Sequence, residues 1–177
     1  MTASGDSTSE SSGMSTSGGD REKVWDLIKH IGVAMLVTQD AGHKLSARPM
    51  AAANRDFNEG TLWFFVREGS PKLDELAESR NVLLAYSHPG KQDYVSLSGK
   101  ARVVRDQAKV KQLWSEPARV WFPKGPNEGD IALIAVDVET AEYWDSPSAA
   151  VVYAYGYAKA ALTGEPPKMG ENKKVAF

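Results

Sequence analysis

Apolar residues recur along the chain in six short runs that have the pattern of β-strands. Five of the six runs are rich in Val, Ile, Leu, Phe or Tyr, and turn-forming residues such as Ala-Gly or Pro-Gly lie between neighbouring runs. The run 33–39, VAMLVTQ, is apolar almost throughout and predicts a buried strand. The six predicted strands cover residues 33–39, 45–56, 61–68, 80–90, 93–106 and 131–145.

Other segments have apolar residues at helical spacing. Asp20 is the N-cap expected for the first of them, and Ser70 and Pro71 suit the N-cap and the first position of the second. A further segment is a weaker candidate, because Val-Val-Tyr and a glycine interrupt it. The predicted helices cover residues 20–31, 69–79 and 107–116, and the weaker candidate covers 146–162.

The connections between the first three strands decide the fold class. Residues 40–44 and 57–60 are too few to form the crossover that a pair of parallel strands needs. Antiparallel strands joined by turns, with helices only at the margins, are typical of barrels. The sequence therefore predicts a mainly β fold, a six-stranded antiparallel barrel with peripheral helices.

Composition divides the chain into an ordered domain and two tails. Fourteen of the first twenty residues are Ser, Thr or Gly. Because this segment has few apolar side chains to bury, we expect it to be disordered. It has neither the basic start nor the apolar run of a secretory signal. We expect a disordered tail at 1–19, a domain at 20–162 and a flexible tail at 163–177.

Charge and residue types exclude several classes of function. The net charge is -2, which does not favour nucleic acid or an anionic membrane surface, and no run of about 20 apolar residues could span a bilayer. The chain has no cysteine, so disulfides and thiolate chemistry are excluded. The three histidines are scattered, and we expect no metal site. The default interpretation is a cytoplasmic protein.

Two short stretches carry candidate chemistry. Ser70 and Lys72 lie where a helix begins, and helix N-termini favour phosphate groups; the alternative is an ordinary cap with a surface lysine. Arg48 precedes Pro49 within a strand, where a proline marks an edge, a bulge or a strand end. The alternative there is a bulge with a solvated arginine. Trp144 ends a long strand, where its indole could stack on a flat ring.

Taken together, these stretches resemble the FMN-binding split barrels, a pyridoxamine 5'-phosphate oxidase-like superfamily, and within it the general stress protein branch. The resemblance runs from about Val24 to Ala161. It is carried by the order and spacing of SARPM, LWFFVREGSPK, NVLLAYSHP, YVSLSGKARVVRD, LWSE, WFPKGP and AEYWD. It implies a homodimer of six-stranded barrels with two FMN molecules at the subunit interface; FAD is a possible substitute.

The resemblance also implies a role for each residue. Arg48, Ser70 and Lys72 would hold the phosphate, although Arg48 could instead reach the polar rim of the flavin. Main chain at Pro49 and Met50 would lie against the pyrimidine side. The flavin-contacting residues implied in addition are Phe65 and Val66 along the ring and ribityl chain, Trp144 from the partner subunit, and Tyr94, where the oxidases commonly have a glutamine.

Departures from the oxidases shape the expected function. Pro71 stands where the oxidases commonly carry an arginine, and the chain lacks a basic, histidine-bearing segment after Trp144. Vitamin B6 oxidase activity is therefore the less favoured hypothesis. We expect an FMN-binding general stress protein that could act as a flavin-dependent oxidoreductase on an unknown small molecule. Two competing hypotheses are a non-enzymatic flavin sensor or store and a structural dimer without flavin.

Overall fold

The fold is given by a computed structural model, which describes residues 18–57, 59–127, 129–145 and 171–177. The predicted helix at 146–162 lies outside the described residues. The helices are α1 (Gly18–Ile31), α2 (Pro71–Glu78) and α3 (Gln107–Leu113), and a 3-10 helix covers Glu116–Val120. The strands are β1 (Val33–Gln39), β2 (Leu45–Ala51), β3 (Thr61–Arg67), β4 (Asn81–His88), β5 (Asp93–Val104), β6 (Ile131–Asp145) and β7 (Glu171–Ala176).

All the strands belong to one antiparallel sheet. Its order is β2-β1-β4-β5-β6-β3, and β7 pairs with β6 in addition. The long strand β6 organises the sheet, because it pairs with β5, with β3 through its first half and with β7 through its last residues. The predicted mainly β class with peripheral helices is confirmed.

The main core lies on the inner face of this sheet. Alternate residues of each strand are buried there, and α1 and α2 add leucines, an isoleucine and a valine from their apolar faces. A second, smaller core lies on the outer face of β3 and β6, where α3 and Phe122 cover Ile131 and Leu133. Phe65 packs against this second core, with its ring centroid 5.7 Å from that of Trp114.

The outer face of β2, β1 and β4 is apolar but open. Val33 is 50% exposed, Met35 41% and Leu83 38%. The prediction of a buried β1 is therefore wrong for one of its two faces, because its residues alternate between core and surface. We call the outward residues of these three strands the open apolar face. They are Leu45, Ala47, Pro49, Ala51, Val33, Met35, Val37, Gln39, Asn81, Leu83, Ala85 and Ser87.

The strand β7 corrects the prediction for the C-terminal region. Residues 171–176 pair with β6, so the expected six strands are one too few, and the expected flexible tail is wrong for these residues. The strand is held because Val175 is fully buried in the main core. Its remaining side chains are largely polar, which gives β7 little hydrophobic signal in the sequence.

The first helix begins at Gly18, two residues before the predicted N-cap. Asp20 lies inside the first turn with its side chain buried, and Lys173 of β7 donates to its carboxylate at 2.7 Å. Arg21 donates to the main-chain oxygen of Ala176 at 3.1 Å. These contacts tie α1 to β7.

A close approach of two strands occurs at Gly99. The register between β5 and β6 shifts between Ser98 and Gly99, as at a β-bulge. A methyl group added at Gly99 would lie 2.2 Å from the main-chain oxygen of Asp137. Only a residue without a side chain fits this position.

Candidate functional site

The structure brings Arg48 and Lys72 together at the inner face of β2. Arg48 donates two parallel hydrogen bonds to Glu75 of α2, at 2.8 and 2.9 Å. Lys72, one turn earlier on α2, donates to the sulfur of Met50 at 3.5 Å. Thr38 of β1 donates its hydroxyl hydrogen to Glu75. We call these five residues the Arg48–Lys72 cluster.

The charges of the cluster are strongly coupled. Partial burial lowers the pKa of Lys72, and the nearby Arg48 lowers it further, while Glu75 raises it. The hydrogen bonds from Arg48 hold the pKa of Glu75 below its ordinary value against the opposing effect of burial. Two cations and one carboxylate leave the cluster with a net positive charge, which suits an anion.

The first turn of α2 adds polar groups to the cluster. Ser70 is the N-cap and Pro71 takes the first helical position, as predicted. The Ser70 hydroxyl makes no capping hydrogen bond to the helix. Gly69 has a φ of +74°, a conformation in which a residue with a side chain is strained, so the chain turns sharply here from β3 into α2.

Pro49 and Met50 point to opposite sides of β2. Pro49 is exposed on the open apolar face, whereas Met50 is buried beside Lys72. The strand β2 lies at one end of the sheet order, so the proline sits on an edge strand, the kind of strand in which proline is tolerated. Of the three positions that this proline could mark, an edge, a bulge or a strand end, the structure has it on an edge strand.

The side chains of Phe65 and Val66 serve packing in this structure. Val66 is buried in the main core and Phe65 belongs to the second core. Trp63 accepts a bond from Ala53 on the side of β3 that faces away from β6. Alternate residues present their main-chain groups to the same side, so those of Phe65 also point to this edge. A ligand at this edge would meet main chain at Phe65.

Tyr94 and Trp144 do not join the Arg48–Lys72 cluster within one chain. They are direct partners across β5 and β6, on the outer face of the sheet. Arg48 instead faces inward on β2, which lies three strand positions from β5, about 14 Å at the usual strand spacing. Within one chain, Tyr94 and Trp144 thus lie apart from the predicted phosphate-binding residues.

A separate polar cleft of about 230 Å³ lies between α3 and the segment that joins β2 to β3. Trp63 lines it, with Lys109 at 4.9 Å from the indole centroid and Arg102 at 5.4 Å. Neither Arg48 nor Lys72 lines this cleft. The predicted phosphate-binding side chains Arg48 and Lys72 therefore lie in the Arg48–Lys72 cluster and not in this cleft.

The pyridoxamine 5'-phosphate oxidase-like family model matches residues 19–168, most of the chain. The chain belongs to this family. Protein bli-3 of Neurospora crassa is 26% identical to this chain over 153 residues, which cover 81% of this chain and 73% of bli-3.

Solved structures of relatives extend the comparison to the fold. The general stress protein 26 of Jannaschia sp. CCS1 is 25% identical, with a TM-score of 0.70, over 91% of this chain and all of that one. The general stress FMN/FAD binding protein of Xanthomonas citri is 29% identical, with a TM-score of 0.63, over 73% and 90% of the two chains. The predicted split-barrel family and fold are confirmed.

A second group of ionisable residues lies where β5 begins and β6 ends. Asp93 is buried, and its burial raises its pKa above the ordinary 3.8; the nearby Asp145 raises it further. Lys91 and His30 act in the opposite direction. His30 also stacks on His88 at a centroid distance of 5.3 Å. Ionised Asp93 is therefore unfavourable in the folded protein.

Replacing Asp93 by Asn is expected to stabilise the protein near neutral pH. Because the pKa of Asp93 is raised on folding, its ionisation costs stability as the pH rises from about 3.8 through the folded-state value. The amide carries no charge beside Asp145, and we expect a gain of about 1 kcal/mol in the free energy of unfolding at pH 7, within the usual range for removing an unfavourable charge.

Thermal unfolding of both proteins between pH 3 and 8 measures this difference. The gain should shrink towards pH 3, where Asp93 is protonated in both the folded and the unfolded state. The control is Asp74→Asn at an exposed position of α2. A gain at Asp93 that does not depend on pH would contradict the explanation.

Proposed function

We propose that this protein binds FMN, with the phosphate at the Arg48–Lys72 cluster. The convergence of Arg48 and Lys72 at the first turn of an eight-residue helix is the observation that supports this most strongly. The two cations and the Ser70 hydroxyl, which makes no capping hydrogen bond, lie at a helix N-terminus and form a donor set that fits a phosphate monoester. The flavin-binding relative from Xanthomonas citri gives independent support.

The other groups of the ligand fit the edges of the sheet. The end strand β2 carries Arg48 and Met50 of the cluster, the other end strand β3 leads into α2, and main chain at Phe65 points towards the open edge of β3. A flavin ring has an amide-like rim that can bond to such groups. When bound, the flavin would supply hydride or electron transfer, while the protein supplies binding and orientation. FAD would require room for a second nucleotide beyond the phosphate.

Replacing Lys72 by Ala is expected to weaken FMN binding by about 1.5–3 kcal/mol, the usual size of a charge-assisted hydrogen bond. Isothermal titration of the apoprotein with FMN measures the dissociation constant. Lys111→Ala is the matched control, because it removes an exposed lysine from another helix. An unchanged dissociation constant in Lys72→Ala would contradict the assigned role.

We infer further that the protein is a homodimer formed through the open apolar face. None of the outward residues that define this face is charged. The face continues from the edge strand that carries Arg48 to Tyr94, the outward neighbour of Ser87. In a two-fold dimer, surfaces that are separate in one protomer can meet across the axis. A second copy would thus bring Trp144 or Tyr94 to the flavin.

Turnover distinguishes an oxidoreductase from a flavin sensor or store. Bleaching of the flavin absorption band by NADH or NADPH, followed by repeated reoxidation with an acceptor, would support an enzyme. A band that stays oxidised with both nucleotides would favour the non-enzymatic hypothesis. A colourless protein that takes up no added FMN would leave only a structural dimer.

A further inference from the structure

We propose that Glu75 is a positioning residue, which together with Thr38 holds Arg48 ready for a phosphate group. This inference rests on the proposed function for the identity of the ligand. The carboxylate of Glu75 contacts Arg48 in a site that is expected to bind an anion, which requires an explanation. A negative charge at that place opposes a phosphate by charge alone.

The contacts of Glu75 explain what the carboxylate does. Its two oxygens accept one bond each from the two terminal nitrogens of Arg48, the planar paired arrangement that fixes a guanidinium in orientation as well as in place. A guanidinium has five N–H donors, so about three remain for another partner. Glu75 thus occupies one edge of Arg48 and leaves the rest available.

Glu75 is itself fixed from a third element of the fold. Thr38 of β1 is buried, and its hydroxyl donates to the same carboxylate oxygen that accepts from Arg48. The side chains of Arg48 and Glu75 are only 22% and 15% exposed, so water screens their attraction little. Residues from β1, β2 and α2 therefore share one rigid arrangement.

Rigidity matters because arginine has a long and mobile side chain. A free arginine loses rotational freedom when it binds a phosphate, and that loss weakens binding. Holding Arg48 in place beforehand removes this cost from the binding step. Charge alone predicts that removing the carboxylate tightens phosphate binding, whereas positioning predicts that it weakens it. The two explanations therefore differ in sign.

The test compares Glu75→Gln and Thr38→Val with the wild-type protein, using FMN and riboflavin as probes. Riboflavin lacks the phosphate, so it reports on the ring site alone. We expect Glu75→Gln to weaken FMN binding by about tenfold and Thr38→Val by about threefold, with riboflavin binding unchanged. Glu78→Gln, which removes an exposed carboxylate from the same helix, should change neither.

A second measurement does not depend on flavin. NMR of the guanidinium nitrogens of Arg48 in the apoprotein should show hindered rotation in the wild type and faster rotation in both variants. Thermal unfolding checks that each variant is folded, and Thr38→Val keeps the charge pair should Glu75→Gln fail to fold.

FMN binding by folded Glu75→Gln that is equal to or tighter than wild type would overturn the inference but leave the proposed function intact. A wild-type protein that binds no FMN would refute the proposed function. In that case, freely rotating Arg48 in the wild type would overturn the positioning role as well, and hindered rotation that is lost in Glu75→Gln would uphold it.

Discussion

The Met35→Glu variant is expected to be a monomer that no longer retains flavin. Met35 lies on β1 within the open apolar face, between Pro49 of β2 and Ala85 of β4. A carboxylate buried there against a second copy would have no cation in this face to pair with. The cost of desolvating it should weaken the dimer by at least ~3 kcal/mol, about a hundredfold.

Analytical ultracentrifugation with and without FMN measures both effects. Gln112→Glu is the control, because it adds the same charge at an exposed position of α3 outside the open apolar face. The control should remain dimeric and yellow. A wild-type protein that sediments as a monomer while it binds FMN, or a dimeric Met35→Glu, would refute the assignment of this face.

The Gly99→Ala variant is expected to lose about 3 kcal/mol of stability or more. The added methyl group would lie 2.2 Å from the main-chain oxygen of Asp137 and 3.0 Å from the Cα of Val138. Both atoms are main chain within the longest strand, so neither can move aside without breaking the pairing of β5 and β6. Since β6 also holds β3 and β7, the damage should spread through the sheet.

Urea-induced unfolding followed by circular dichroism gives the free energy of unfolding. Gly129→Ala is the matched control, because a methyl group there meets no atom within 4 Å and the position has no positive φ. It should change stability by less than ~0.5 kcal/mol. An equal loss in both variants would show that the crowding at Gly99 is not the cause.

The regular elements follow from local signals, and for this reason they could be predicted. The alternation in 93–106, the Ser-Pro start of α2 and the long apolar run 131–145 each identify an element that the structure contains at nearly the same bounds. The prediction that Arg48 and Lys72 share one site came from the resemblance to the split barrels, and the structure places the two residues together. Local patterns alone could not have paired residues on separate elements.

The remaining features depend on tertiary contacts. Glu75 is one acidic residue on a short helix, and only its contacts with Arg48 and Thr38 distinguish it from exposed neighbours. Among the side chains of β7 that the structure describes, only Val175 is fully buried, and the strand forms because β6 offers it a free edge. The exposure of one face of β1 could not be predicted from the sequence, because a run of apolar residues does not reveal whether each of its two faces is covered by the same chain.

The place of β6 in the chain has a consequence for biosynthesis. In the described part of the chain, β3 pairs only with β6, whose residues leave the ribosome more than sixty positions later. Until then the nascent polypeptide carries the aromatic residues of β3 without their partner strand, a state prone to mispairing. The barrel can therefore close at β3 only after residues 131–137 have been synthesised, and pairing over so long a stretch of chain is expected to make folding slow.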